Sequence, residues 1–150
     1  MVDIVDKQTR SRMMSGIKGK NTQPEMLVRK YLHAKGFRYR LHDKKLRGSP
    51  DIVLRKYQLV IFVHGCFWHR HKGCRYATTP AHNRNKWLLK FRQNTERDQR
   101  QINQLIDMGW RVLVVWECAL KTPSADLAWL PKYLKSELPP YLEWPVAAKK

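Results

Sequence analysis

Apolar residues along this chain keep two different periods, and the switches between them mark out its elements. In NTQPEMLVRKYLHAKG (21–36), Met26, Leu27, Lys30, Tyr31 and Ala34 recur at three- and four-residue steps, the repeat of a helix face. Asn21 or Thr22 caps that helix, Pro24 sits in its first turn, Glu25 meets the positive end of its dipole, and Gly36 stops it. FRYRL (37–41) alternates and predicts a strand, and LRGSP (46–50) breaks the chain. DIVL (51–54) and LVIFV (59–63) are nearly all apolar and are separated by RKYQ, so they read as two buried strands joined by a tight turn. Helical spacing returns from Arg84 to Met108, with Trp87, Leu88, Phe91, Ile102, Leu105 and Ile106 on the apolar side and Gly109 at the end. WRVLVVW (110–116) is a further buried strand, and SADLAWLPKYL (124–134) predicts a short last helix interrupted by Pro131. The order helix, three strands, helix, strand, helix is that of an α/β domain, with a central mixed β-sheet flanked by helices over residues 1–137. The Pro-rich segment 138–150 lacks periodicity and is expected to be extended or mobile.

Composition narrows the setting. At 150 residues and 43% apolar, the chain is long and apolar enough to bury a core and is not disordered. No apolar run is long enough to span a membrane, and MVDIVDKQTR has acids where a secretory leader would be apolar. Three cysteines are too few, and oddly numbered, for a disulfide framework, which points to a reducing cytoplasm. The net charge is +18 and lopsided: +9 over 1–49, +8 over 50–100 and +1 over 101–150. Solubility does not require that asymmetry. A polyanion facing the first two thirds does, and nucleic acid is the natural partner. Residues 1–20, basic and glycine-interrupted, form a candidate DNA-contacting arm.

Three stretches carry chemistry. Asp51 follows Pro50 at the mouth of an apolar strand. This is an ordinary turn signal, and equally the place where a carboxylate holds Mg²⁺ at a strand end. In a strongly basic chain a retained acid asks for a reason, and the neighbouring strand LVIFVH ends in His64. That is the layout of a nuclease hairpin. Next, Cys66-x4-His71-x2-Cys74 has soft ligands at a spacing that suits tetrahedral Zn²⁺. Cys118, just beyond the WRVLVVW strand, can complete the set; three free buried cysteines are the plain alternative. His69 fits a fourth zinc ligand, a general base or an inert surface residue equally well on spacing. Finally, Phe67, Trp68 and Trp87 lie among Arg70, Lys72 and Arg75, where aromatics either pack in a core or stack on bases and wedge a duplex open.

With LRGSPDIVL, FVHGCFWH, NTERD and GWRVLVVWECAL together, the chain resembles the very short patch repair endonucleases, bacterial T:G mismatch-nicking enzymes. The resemblance runs from DKQTRSRMMSGI at 6–17 through WECAL at 116–120. It implies a restriction-endonuclease-like core, related to the PD…(D/E)xK nucleases, with a structural zinc. It further implies that Asp51 and the backbone carbonyl of Val63 hold catalytic Mg²⁺, and that Glu25 and His64 act through waters. His69 would be the general base and Asp98 its orienting partner; Cys66, His71, Cys74 and Cys118 would hold zinc. Phe67, Trp68 and Trp87 would wedge beside the mismatch, and Met14 would enter from the minor groove. The expected substrate is double-stranded DNA with a T:G pair from deaminated 5-methylcytosine, nicked 5′ to the T by a monomer, with other repair proteins following. Two alternatives accompany that reading: a restriction-type endonuclease on paired DNA, and a non-catalytic mismatch-binding module. Val63 stands where the family pattern has Thr, which a main-chain ligand tolerates, and Gly73 is one residue more than the family spacing between His71 and the next Cys.

Overall fold

The computed structural model describes residues 22–121, 127–136 and 140–145. Helix α1 spans Gln23–Ala34. Short strand β1 (Arg40–Leu41) leads to β2 (Ile52–Leu54), a 3₁₀ turn at Arg55–Tyr57 and β3 (Leu59–His64). One turn of helix, α2 (Cys66–His69), precedes the long helix α3 (Arg84–Asp107) and strand β4 (Arg111–Trp116). Two further helices, α4 (Glu117–Leu120) and α5 (Leu130–Lys135), and strand β5 (Tyr141–Trp144) complete the described chain. The sheet order is β1-β2-β3-β4-β5. Its first two pairings are antiparallel and its last two parallel, so β3 is the strand at which direction changes.

The alternation of the strands divides the core in two. Ile52, Leu54, Leu59, Ile61, Leu113 and Val115 pack on one face against Val28 and Leu32 of α1 and Leu130 and Leu134 of α5. Val53, Val60, Phe62, Val112 and Val114 face the other way, against Ile102 and Leu105 of α3. Each fully buried aliphatic side chain is worth about 1.5–3 kcal/mol over exposure, so both faces specify the register. Where the last turn of α5 meets the sheet, Arg111 donates to the carbonyls of Tyr133, Leu134 and Tyr57 at 2.8–3.2 Å, so the one charge in that strand is matched by acceptors.

The helix faces differ from the sequence expectation. α1 buries Glu25, Val28 and Leu32, while Leu27 is exposed, because the burying stripe runs from the N-terminal acid and not from Met26. Its cap is Thr22, whose hydroxyl accepts from the Glu25 N–H at 3.3 Å. α3 buries Phe91, Asn94, Ile102 and Leu105 but leaves Leu88 and Leu89 exposed. Pro131 opens α5 instead of interrupting it, since a first-turn proline gives up no helical hydrogen bond. β1 keeps only two of the five residues of FRYRL, and β5 is a strand that hydrophobic pattern did not announce. Among the described residues no helix is long and apolar enough to cross a membrane.

Candidate active site and metal centre

Among the described residues, the buried polar side chains Asp51, His64 and His71 gather around the carboxyl end of β3, with Glu25 reaching it from α1. The chain enters β2 through Gly48, at φ +77°, where a Cβ would meet Gln101 Oε1 at 2.9 Å and the Phe62 ring at 3.2 Å. Only glycine allows that close approach. The next residue, Ser49, also takes positive φ, and Pro50-Asp51 follows. Asp51 is buried, and its Oδ2 accepts from the Val63 N–H at 2.7 Å. Glu25, 1% exposed, reaches the same point from the first turn of α1. Its Oε2 is held by Arg29 at 3.2 Å and by His42 Nε2 at 2.8 Å. Burial, and then the neighbouring Glu25, push the Asp51 carboxyl up to about 7 against the pull of the Val63 N–H. Two carboxylates and an imidazole converge within 4.8 Å, so a divalent cation would relieve both the burial and the repulsion. His42 is the member that sequence reading missed. It lies one residue past β1, with positive φ, and its N–H extends the β1–β2 ladder to the Asp51 carbonyl at 3.1 Å.

One residue beyond Val63, His64 turns to the other face of the sheet. Its ring lies parallel to that of His69, centroids 3.9 Å apart and planes 5° off. His69 Nδ1 is 2.6 Å from Asp98 Oδ2 on α3. A carboxylate accepts only, so Nδ1 carries a proton, which in the neutral ring leaves the lone pair on Nε2, the tautomer a general base needs. Burial, and then the charges of His69 and Arg97, hold His64 well below the ordinary imidazole range, so it is neutral. His64, His69 and Asp98 lie close enough to share a metal. Parallel rings this near cannot aim two in-plane lone pairs at one ion, however, so the group reads as an acid–base pair with its orienter. The histidines open into a cleft of about 160 Å³ between α3 and β5, walled by Asp98, Gln99, Trp116 and Glu143.

The third cluster joins Cys66, His71, Cys74 and Cys118, whose ligand atoms all fall within 4.8 Å of one another. His71 Nδ1 lies 3.7 Å from Cys66 Sγ and 3.4 Å from Cys118 Sγ. A tetrahedral zinc with ordinary bond lengths has S···N edges of about 3.6 Å, so this donor set fits such an ion. Burial raises the Cys66 and Cys118 thiols, a cost that a bound cation would reverse. Gly73 takes φ +74° with open space around it, so the extra residue before Cys74 is absorbed as a turn. Glu117 Oε1 accepts from the Cys66 N–H at 3.2 Å and ties α4 to α2. His71 stacks on Trp116 at 4.4 Å, and Trp116 meets His64 edge-on at 5.2 Å.

Half-buried Phe67, Trp68 and Trp87 cluster on buried Phe91 through edge-to-face, tilted and stacked ring pairs 5.0–5.9 Å apart. Asn94, buried on α3, donates to the Trp68 carbonyl at 3.1 Å and fixes the base of this platform. Arg70 is not a free cation beside the aromatics. Its guanidinium lies 3.8 Å from the centre of the Phe91 ring and donates to the carbonyls of Phe67, Ala77 and Thr78 and to the Thr79 hydroxyl. Its donors are spent internally, and only Lys72 and Arg75 of that group remain for a phosphate. Met14 and the basic arm lie outside the described residues.

A family profile described as DNA mismatch endonuclease Vsr matches residues 2–75. The type II nicking enzyme V.NmeAIP of Neisseria meningitidis is 49% identical over 124 residues, covering 83% of this chain and 88% of its own length. V.XorIIP of Xanthomonas oryzae, also a type II nicking enzyme, is 45% identical over 140 residues, covering 93% and 99%. The DNA mismatch endonuclease Vsr of Escherichia coli is 46% identical over 121 residues, covering 81% and 77%. This chain belongs to the Vsr family.

Membership makes the protein a DNA endonuclease with the restriction-endonuclease-like fold. The mixed five-stranded sheet with helices on both faces agrees with it. Within that Vsr frame the structure brings Glu25, Asp51 and the Val63 main chain together, pairs His69 with Asp98 beside His64, and joins the four Cys/His residues. His42, Arg70, Asn94, Trp116 and Glu143 stand beside them without having been singled out by motif.

Proposed function

We propose that this Vsr-family endonuclease nicks one strand of duplex DNA 5′ to the T of a T:G mismatch left by deaminated 5-methylcytosine. The observation that carries it is the His69–Asp98 pair, with its lone pair on Nε2, placed one strand end away from the buried Asp51–Glu25 acids. Asp51 and the Val63 carbonyl would hold Mg²⁺, which neutralises charge developing on the phosphate when bound. His69 takes the proton from the attacking water, and Asp98 stabilises the imidazolium that results. Glu25 and His64 hold waters around the acids, Glu25 being fixed by Arg29 and His42. Cys66, His71, Cys74 and Cys118 would hold a structural Zn²⁺ that stiffens the α2 turn carrying His69. Phe67, Trp68 and Trp87, with Met14 of the basic arm, wedge the stack apart. The protein works as a monomer in the bacterial cytoplasm, on nucleoid DNA, ahead of other repair proteins.

The test is a nicking assay with Mg²⁺ on end-labelled duplexes, one with T:G in a CT(A/T)GG context and one fully paired. A single nick 5′ to the T, confined to the mismatch, is expected. Cleavage of both strands of the paired control would replace this reading by a restriction-type activity. Binding of the mismatch without cleavage would replace it by a non-catalytic module.

A further inference from the structure

We propose that Glu143, on the edge strand β5, is a positioning residue that fixes the Trp116 indole as a spacer between the Cys/His centre and the histidine pair. Glu143 Oε1 accepts from the Trp116 indole N–H at 2.8 Å. Trp116, 6% exposed, has one ring face against His71 and an edge against His64. His64 in turn stacks on His69. The chain of contact therefore runs carboxylate, indole, then two imidazoles of different centres. Glu143 is the acceptor for the indole N–H and adds a directional hold to the packing of the ring between the two imidazoles.

The register explains why this carboxylate is available. Glu143 pairs with Val114 and lies on the α3 side of the sheet, diagonal to Trp116, while its neighbours Leu142 and Trp144 pack into the opposite core. β5 is thus held in place independently of the hydrogen bond, and Glu143 projects into the wall of the cleft. Residues that orient a site from behind change affinity or activity by roughly 10–100-fold when removed, and Glu143 does so through the indole.

This inference rests on the proposed nuclease mechanism for its kinetic part and on geometry alone for its spectroscopic part. The experiment uses the metal-loaded full chain and the variants E143A, E143Q, W116F and W116F/E143A. Imidazole ¹H–¹⁵N spectra are recorded first, with His33, His42 and His82 as internal controls. E143A is expected to move the His64 and His71 ring signals and leave the controls in place, with bound zinc unchanged. E143Q keeps the acceptor and is expected to restore them. In nicking, E143A should lower kcat roughly tenfold at constant KM. W116F should fall at least as far, and the double variant no further than W116F. Unmoved His64 and His71 signals in E143A, equal disturbance by E143Q, or multiplying losses in the double variant would overturn the proposal. If the wild-type protein nicks no mismatch, the nuclease reading fails while the spectra still decide the role of Glu143.

Discussion

The acid cluster, tied to β3 through the Val63 N–H, and the Cys/His cluster that begins at Cys66 just beyond β3 are opposite solutions to holding a cation. Asp51 and Glu25 are hard oxygen donors buried against each other, and burial keeps a proton on Asp51 up to about pH 7. The second centre is three thiols and an imidazole at ligand spacing. The first is a destabilised site whose cost is released when it works. The second, with an ion bound, would be a staple between the α2 turn and the chain just after β4. One centre should therefore be separable from the fold, and the other should not.

Asp51→Asn gives the largest separation. Nicking should fall by more than about a thousandfold, since both the ligand and its charge are lost. The metal-free fold should gain stability instead. The folded carboxyl titrates at about 7, above its ordinary 3.8, so the folded state prefers the protonated form. That preference costs nothing below pH 3.8 and costs more as pH rises to about 7, reaching a few kcal/mol. His64 acts the opposite way, its cost growing as pH falls below 6.5. Thermal melts at pH 8 without Mg²⁺ should then show Asp51→Asn above wild type; a lower Tm would refute the picture of a destabilised acid.

Next in size, His69→Ala should lower kcat by about 10²–10⁴ with duplex affinity kept, as removal of a general base does. Unchanged kcat in single-turnover nicking would move that role elsewhere. Cys118→Ser, by contrast, should lose zinc, thermal stability and activity together. For a chain of this size Tm falls by about 2–4 °C per kcal/mol lost. Full zinc content by elemental analysis in this variant would break the four-ligand reading. Smallest is the pH response. Below pH 7 each Mg²⁺ must displace the Asp51 proton, so half-saturating Mg²⁺ should rise up to about tenfold per pH unit. The zinc content should stay level over the same range.

How much of this could be read from the chain differs between the two centres. The Cys/His set was legible because soft ligands are rare and their spacing is short; only Cys118 comes from a distance, and β4 pairing with β3 delivers it. Asp51 was legible through its position before an apolar strand. Its neighbour His42 was not, because a histidine after a two-residue strand has no pattern of its own, and its role comes from a positive-φ turn toward Glu25. Arg70 was legible as a charge but not as a strut within the loop, since its partners are backbone carbonyls at 67, 77 and 78. β5 escaped because its four half-buried residues stand among prolines, and only the parallel edge of β4 makes them a strand.

The late position of β5 also bears on how the protein is made. Until residue 144 has left the ribosome, the outer edge of β4 has no partner, and its row of N–H and C=O groups is open to any passing strand. The same residues bring Glu143 to the indole behind the histidines. A nascent chain that has finished its strongly basic first two thirds can already be drawn to DNA, but it lacks the strand that completes the sheet. Synthesis order therefore places the basic stretches ahead of the strand that carries Glu143 and closes the described sheet.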